Sequence, residues 1–160
     1  MRKAKGKTKE KIDHVDCNII SLLQKDGRLS NTTIAKKLGI SESTVRTRLN
    51  RLLNESFIQI VAVSNPIKLG FEISGMISIS VDSRKLDSIT KELKQLEPVW
   101  YVVKTTGSTD IYTEFVLKSM DELNDLLYNK INKIDGVIRT ETSIILEFIK
   151  RNYDWGTASS

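Results

Sequence analysis

With 160 residues the chain is long enough for one ordinary domain or two small ones. Its 39% hydrophobic content can build cores, yet no apolar run approaches the roughly 18 residues that a membrane span requires, so a soluble chain with no membrane contact is expected. The formal net charge of +5 is unevenly spread: residues 1–66 hold 13 Lys or Arg against 6 acids, and residues 67–160 hold 12 against 14. Clustered cations attract phosphate over long range, so the first half is the one expected to meet a polyanion.

Residues 1–11, "MRKAKGKTKEK", read as a basic, flexible, solubilising arm, with no apolar stretch behind it to make a secretory signal or an anchor. A cytoplasmic location is the expectation. Ile12, Val15, Ile19, Leu22 and Leu23 then recur at helical spacing, and Gly27 supplies a stop. Ser30 can cap a second helix that buries Ile34, Ala35 and Leu38 and ends at Gly39. Ser41 can cap a third, with Val45, Leu49 and Leu52 as its apolar stripe and Leu53 beside them. Three short helices, the last two joined by a Gly-containing turn, make residues 12–63 a helix-turn-helix domain.

The period then changes to two. "FIQIVAVSNP" over residues 57–66 suits a wing strand, and Pro66 with Gly70 places a hinge at residues 64–71. From residue 72 the predicted order is strand 72–82, helix 85–96, strand 99–106, strand 110–117, helix 119–133 and strand 137–148. That is the βαββαβ order of a ferredoxin-like domain over residues 72–150, followed by a frayed tail at 151–160. The fold class is therefore α+β, an N-terminal winged helix-turn-helix followed by a ferredoxin-like sheet domain. Two amphipathic helices can cover only one sheet face. Val99 to Val103 and Ile111 to Leu117 are apolar at both parities, so the second face is expected to be largely apolar and covered by a second copy of the chain.

On the third helix, about 100° per residue puts Ser43, Thr47, Asn50 and Arg51 opposite the apolar stripe, flanked by Thr44, Arg46 and Arg48. A helix whose outer side is all donors and short polar groups suits a major groove. There Arg reads guanine, Asn reads adenine, and Ser or Thr serves a base or a phosphate. Double-stranded DNA is the expected partner.

Other chemistries have thin support. Cys17 is alone, so an intrachain disulfide is impossible, and His14 with Cys17 supplies two ligands where a closed zinc site needs four. No Ser-His-Asp set, phosphate loop or convergent carboxylate pair is present, so neither enzyme activity nor a cofactor is expected. An RNA-binding sheet needs aromatic residues on its first strand, and "EISGMISISV" has none.

Four pieces carry a resemblance to a known family: "D-x-x-D-x-x-I-I-x-x-L-Q-K-D-G-R" from Asp13 to Arg28, "L-G-I-S" at 38–41, "F-I-Q" at 57–59 and "G-S-T-D" at 107–110. Together with the βαββαβ order, they make nearly the whole chain resemble the Lrp/AsnC (leucine-responsive, feast/famine) transcription regulators. The resemblance implies a C-terminal domain that senses a small amino-acid effector, dimers paired through their sheets, and further assembly into tetramers or octamers. It also implies an effector site between dimers, near Gly107, Ser108, Thr109 and Asp110. Asp110 would meet an ammonium group, and Thr140, Thr142 and Ser143 would meet a carboxylate. Many relatives have Gly-Asp-x-Asp with an aromatic third residue where this chain has Ser108 and Thr109, so a small or polar effector is expected. Two alternatives remain at this level: a regulator whose second domain only oligomerises, and an enzyme resembling the haem-pathway decarboxylases that share the architecture.

Overall fold

The structure is a computed structural model that describes residues 12–158, and the N-terminal arm lies outside the described residues. The chain forms two compact units, one from residues up to Ala62 together with those from Lys150, the other Val63–Ile149.

In the first unit, α1 (His14–Lys25), α2 (Asn31–Leu38) and α3 (Glu42–Asn54) form where the apolar spacing requires them. Each start is held by a side chain that satisfies an otherwise unpaired N–H. Asp13 accepts from the Asp16 N–H at 2.9 Å while Asp16 accepts from the Asp13 N–H at 3.0 Å, a reciprocal capping box. Ser30 accepts from the Thr33 N–H and Ser41 from the Thr44 N–H, both at 3.1 Å. Gly39 ends α2 with φ 66°, a left-handed conformation that glycine adopts without strain. The core is Ile19, Ile20, Leu23, Ile34, Ala35, Val45 and Leu52, with Leu38, Leu49 and Ile58 packed around it. Leu53, expected on the buried stripe, is 37% exposed.

No strand forms over residues 57–66 among the described residues. The N–H groups of Phe57 and Ile58 both turn back to the Leu52 carbonyl, and Ile58 packs on the core, after which Ile60, Val61 and Val63 are exposed. The physical reason is that a strand needs a ladder neighbour for its backbone groups, and among the described residues the helical unit contains no other strand. The tail differs from expectation too. Instead of fraying, it belongs to the helical unit, where the Gln24 side-chain amide donates to the Gly156 carbonyl at 3.3 Å and accepts the Gly156 N–H at 3.1 Å.

The second unit contains β1 (Ile73–Val81), α4 (Leu86–Leu93), β2 (Val99–Lys104), β3 (Ile111–Leu117), α5 (Met120–Asn124) and β4 (Val137–Ile144). Beyond α5 the helix widens into a π-type turn over Asp125–Lys130 and tightens into a 3-10 turn over Ile131–Lys133. The sheet order is β2-β3-β1-β4, every pair antiparallel, which is the ferredoxin-like topology. Ile77, Ile79, Ile111 and Phe115 point to the helix side and meet Ile89, Leu93, Leu126 and Ile131, all fully or almost fully buried. Each such side chain contributes about 1.5–3 kcal/mol by leaving water.

The open face departs from the expected apolar surface. A register shift between Val99 and Tyr101 lets Val99 and Val102 both face the core and leaves Tyr101 and Val103 opposite Glu114 and Tyr112. Apolar groups on that face therefore gather on β2, β3 and Met76, whereas β1 and β4 present Ser78, Ser80, Arg139 and Glu141. Sequence parity misses this because a bulge changes which residues share a face.

Candidate nucleic-acid interface and ligand recess

The outer side of α3 is built by the caps that start it and the pairs that hold it. Ser41, Ser43 and Thr44 form a hydroxyl cluster at its N-terminus, with Ser41 Oγ 2.9 Å from Ser43 Oγ and 2.7 Å from Thr44 Oγ1. Glu42 accepts from Thr32 Oγ1 of α2 at 2.8 Å and from Arg46 at 2.6 Å, so one carboxylate fixes both the α2–α3 turn and an arginine. Those contacts, Thr32 first and Arg46 second, lower the Glu42 pKa from its ordinary value.

Arg48 and Arg51 are held from α1. Arg48 Nη1 reaches Asp13 at 2.6 Å and Asp16 at 3.0 Å, and Arg51 Nη2 donates to the other Asp16 oxygen and Nη1 to Glu55 at 3.3 Å. Asp16 has no exposed surface, and its two oxygens are taken by the two guanidiniums and the Asp13 N–H. A buried carboxylate with that many donors is compensated, as a buried charge must be. Asp13 is lowered in pKa, first by the Asp16 N–H and then by Arg48, and Arg48 is raised, chiefly by Asp13.

A groove open to solvent runs between the start of α1 and α3, lined by Asp13, Asp16, Ser43, Thr44, Thr47, Arg48 and Arg51. Of the seven residues that the sequence nominated for DNA, all seven lie on α3, and Ser43, Thr44, Arg46, Thr47 and Asn50 are exposed. Arg48 and Arg51 are half-buried and committed to acids more than 30 residues away in sequence. Asp13 and Asp16 had no functional place in the sequence reading. They entered it only as part of the D-x-x-D motif that carries the resemblance, and nothing in that spacing signals their long-range partners.

In the second unit, Gly107, with φ 112°, turns the chain between β2 and β3, and Thr105 Oγ1 closes the loop on the Thr109 carbonyl at 2.7 Å. Asp110 does not project freely: one of its oxygens accepts the Val81 N–H at 2.9 Å, beside the register shift between Ser80 and Val81. Ser108 and Thr109 line a polar recess of about 140 Å³ with Ser78, Ser80, Arg139 and Glu141. Thr140, Thr142 and Ser143 are not among its lining residues. Thr140 and Thr142 pair with the core-facing Ile79 and Ile77, so they lie on the helix side of the edge strand, and Thr140 donates to Asn132 at 3.1 Å. Ser143, opposite Met76, lies on the open face. Within one chain the loop thus meets Arg139 and Glu141, which the sequence did not single out. Among the described residues no group of three or more His, Cys, Asp or Glu is placed to hold a metal ion, and no helix is long and apolar enough to cross a membrane.

A helix-turn-helix unit joined to a ferredoxin-like sheet unit with a polar recess defines a class of DNA-binding regulators with a ligand-binding domain. A family model for the AsnC-type helix-turn-helix domain matches residues 12–53, and one for the Lrp/AsnC ligand binding domain matches residues 74–155. An uncharacterized HTH-type transcriptional regulator of Pyrococcus abyssi is 38% identical over 146 residues, 91% of this chain and 92% of that protein. The solved structure of E. coli AsnC matches with a TM-score of 0.77 at 28% identity, covering 89% of this chain and 97% of that one. A transcriptional regulator of Neisseria meningitidis solved as an L-Met complex matches in fold, with a TM-score of 0.79 at 21% identity, covering 90% and 96%. The chain belongs to the Lrp/AsnC family of transcriptional regulators.

Proposed function

We propose that the outer face of α3 reads duplex DNA. Asn50 and Thr47 would serve as base-reading groups, Ser43 and Thr44 would face a phosphate at the helix N-terminus, and Arg46, Arg48 and Arg51 would flank them. The observation that carries this reading is an exposed helix face of neutral donors, Ser43, Thr44, Thr47 and Asn50, in a unit of net positive sequence. Such groups suit base edges in the major groove and backbone oxygens at its rim. Asn50→Ala and Thr47→Ala are the test: each should weaken binding to a site enriched by this protein from a random duplex library and spare binding to unrelated duplex. Unchanged enriched-site binding in both variants removes this face from the interface.

The second unit, in the same proposal, binds a small amino-acid-like effector at Gly107–Asp110 and acts with no chemical conversion and no cofactor. The neighbour from Neisseria, solved with L-Met, supports the ligand class. Thr140, Thr142 and Ser143 would join the loop only from a neighbouring subunit, because in a single chain they lie outside its recess. The apolar strip of Tyr101, Val103, Tyr112 and Val116 is the part of the open face suited to a second copy, and the exposed Ile60, Val61 and Val63, outside the sheet, offer a separate apolar contact. A dimer, with tetramers or octamers built from it, is the expected assembly, and the cytoplasm the expected compartment. Calorimetry across the common amino acids tests the effector: heat with none of them leaves the second unit as an assembly module.

A further inference from the structure

Every arginine of α3 is held by acid: Arg46 by Glu42, Arg48 by Asp13 and Asp16, Arg51 by Asp16 and Glu55. The face proposed to read DNA therefore carries no uncompensated cation from its own helix. This is an unusual balance for a surface that approaches phosphate. A free guanidinium beside a duplex takes the nearest phosphate whatever the sequence, because counterion release rewards that contact at every site equally. Carboxylates beside it also make a poorly aligned phosphate unwelcome.

Asp16 is the hub of this arrangement, fully buried, gripping guanidiniums one helical turn apart on α3. Asp13, half exposed, takes Arg48 with one oxygen and caps α1 with the other. We propose that Asp13 and Asp16 are specificity-setting residues: they withhold Arg48 and Arg51 from indiscriminate phosphate contact. Discrimination is thereby left to neutral groups such as Thr47 and Asn50, and general attraction is left to cations outside α3. This rests on the reading of α3 as the DNA-reading face.

The test uses the full chain, a duplex enriched from a random library, and a random-sequence duplex of equal length. Asn caps a helix as well as Asp does, so Asp13→Asn keeps the start of α1 while freeing Arg48 from one carboxylate. Asp16→Asn removes one carboxylate from each of Arg48 and Arg51, and Asp26→Asn, at the exposed C-terminal end of α1 and outside these ion pairs, controls for the change in net charge. On random duplex, Asp13→Asn should bind roughly three- to tenfold tighter than the control variant, with a log-log salt slope steeper by about one. Asp16→Asn should steepen it further, and the ratio of enriched-site to random affinity should fall by about tenfold or more.

Equal tightening and slope in Asp13→Asn and Asp26→Asn, with Asn50→Ala still impairing the enriched site, overturns the proposal and leaves the reading face standing. Parallel weakening on both duplexes also overturns it, since that marks the acids as purely structural. If Asn50→Ala and Thr47→Ala change nothing either, the reading face itself is wrong. Should Asp16→Asn fail to fold, Asp13→Asn with its control decides the matter alone.

Discussion

The carboxylate of Asp110 accepts the backbone N–H of Val81 at 2.9 Å, at the point where the β1–β4 register shifts. A bulge leaves a backbone donor outside the regular ladder, and here a loop side chain satisfies it. The residue that the family pattern assigns to a ligand amine is thus also a structural tie between the β2–β3 loop and β1. Asp110→Ala should cost the sheet unit about 1–3 kcal/mol, since it leaves the Val81 N–H without that partner. Asp110→Asn keeps an acceptor and should cost less. Denaturant unfolding of both variants separates the roles: an effector response lost in Asp110→Asn at near-normal stability belongs to the ligand, and equal stability losses in the two variants would argue against the tie.

Arg51→Ala tests whether α3 is held as described. It removes a donor from the buried Asp16 and should destabilise the helical unit by about 1–3 kcal/mol, through loss of a charged hydrogen bond to a desolvated group. Asn50→Ala, on the exposed side, should stay within about 0.5 kcal/mol of the parent. Thermal melts of the pair give the contrast directly, and similar melting points would place Arg51 outside the α1–α3 pairing.

Gly75 sits where β1 is crowded from two sides. A Cβ there would lie 2.5 Å from the Ser143 carbonyl oxygen and 2.6 Å from the Phe115 ring. One neighbour is backbone and cannot rotate away, so Gly75→Ala should destabilise the sheet unit by about 1–3 kcal/mol, in the range of overpacked cores. The midpoint of the sheet transition should fall in a denaturant titration of the variant against the parent, and an unmoved midpoint would show that β1 gives way to the added methyl.

Acid should loosen the helical unit through Asp13. Its folded pKa is lowered, by the Asp16 N–H first and Arg48 second. The associated stabilisation is complete above the unfolded value and is lost as pH falls through the folded one, so the decline begins below about pH 4. Asp13→Asn should flatten that limb of the curve. Circular dichroism at fixed mild denaturant across this range is the measurement, and an unchanged limb would assign the acid response to other carboxylates.

The legible parts of this molecule are those written in short-range pattern. Ser30, Ser41 and Gly39 mark their helix ends in the sequence and occupy those positions in the structure, and the order of helices and strands along the second unit follows from the alternation of periods. Periodicity also places Arg48 and Arg51 on α3 correctly, yet it is silent about what a side chain meets across 32 to 35 residues. The bulge at Val99–Tyr101 defeats parity because one extra residue exchanges the two faces. Residues 57–66 have the composition of a strand, but composition supplies no neighbour. Arg139 and Glu141 enter the recess only because β4 lies beside β1, which a motif search along the chain does not weigh.

The reciprocal hydrogen bonds between Gln24 and Gly156 give the chain an unusual order of construction. Because Lys150 onward belongs with the residues before Ala62, the sheet unit is an insertion within the helical unit and not an appendage to it. While the insertion is folded it fixes how far apart its two ends can wander, and so sets the effective concentration at which the tail meets Gln24. Unfolding the insertion turns it into a long, loose loop and dilutes that encounter. The two units are therefore coupled through chain connectivity, and a fragment cut at Ala62 would lose a piece of its own domain.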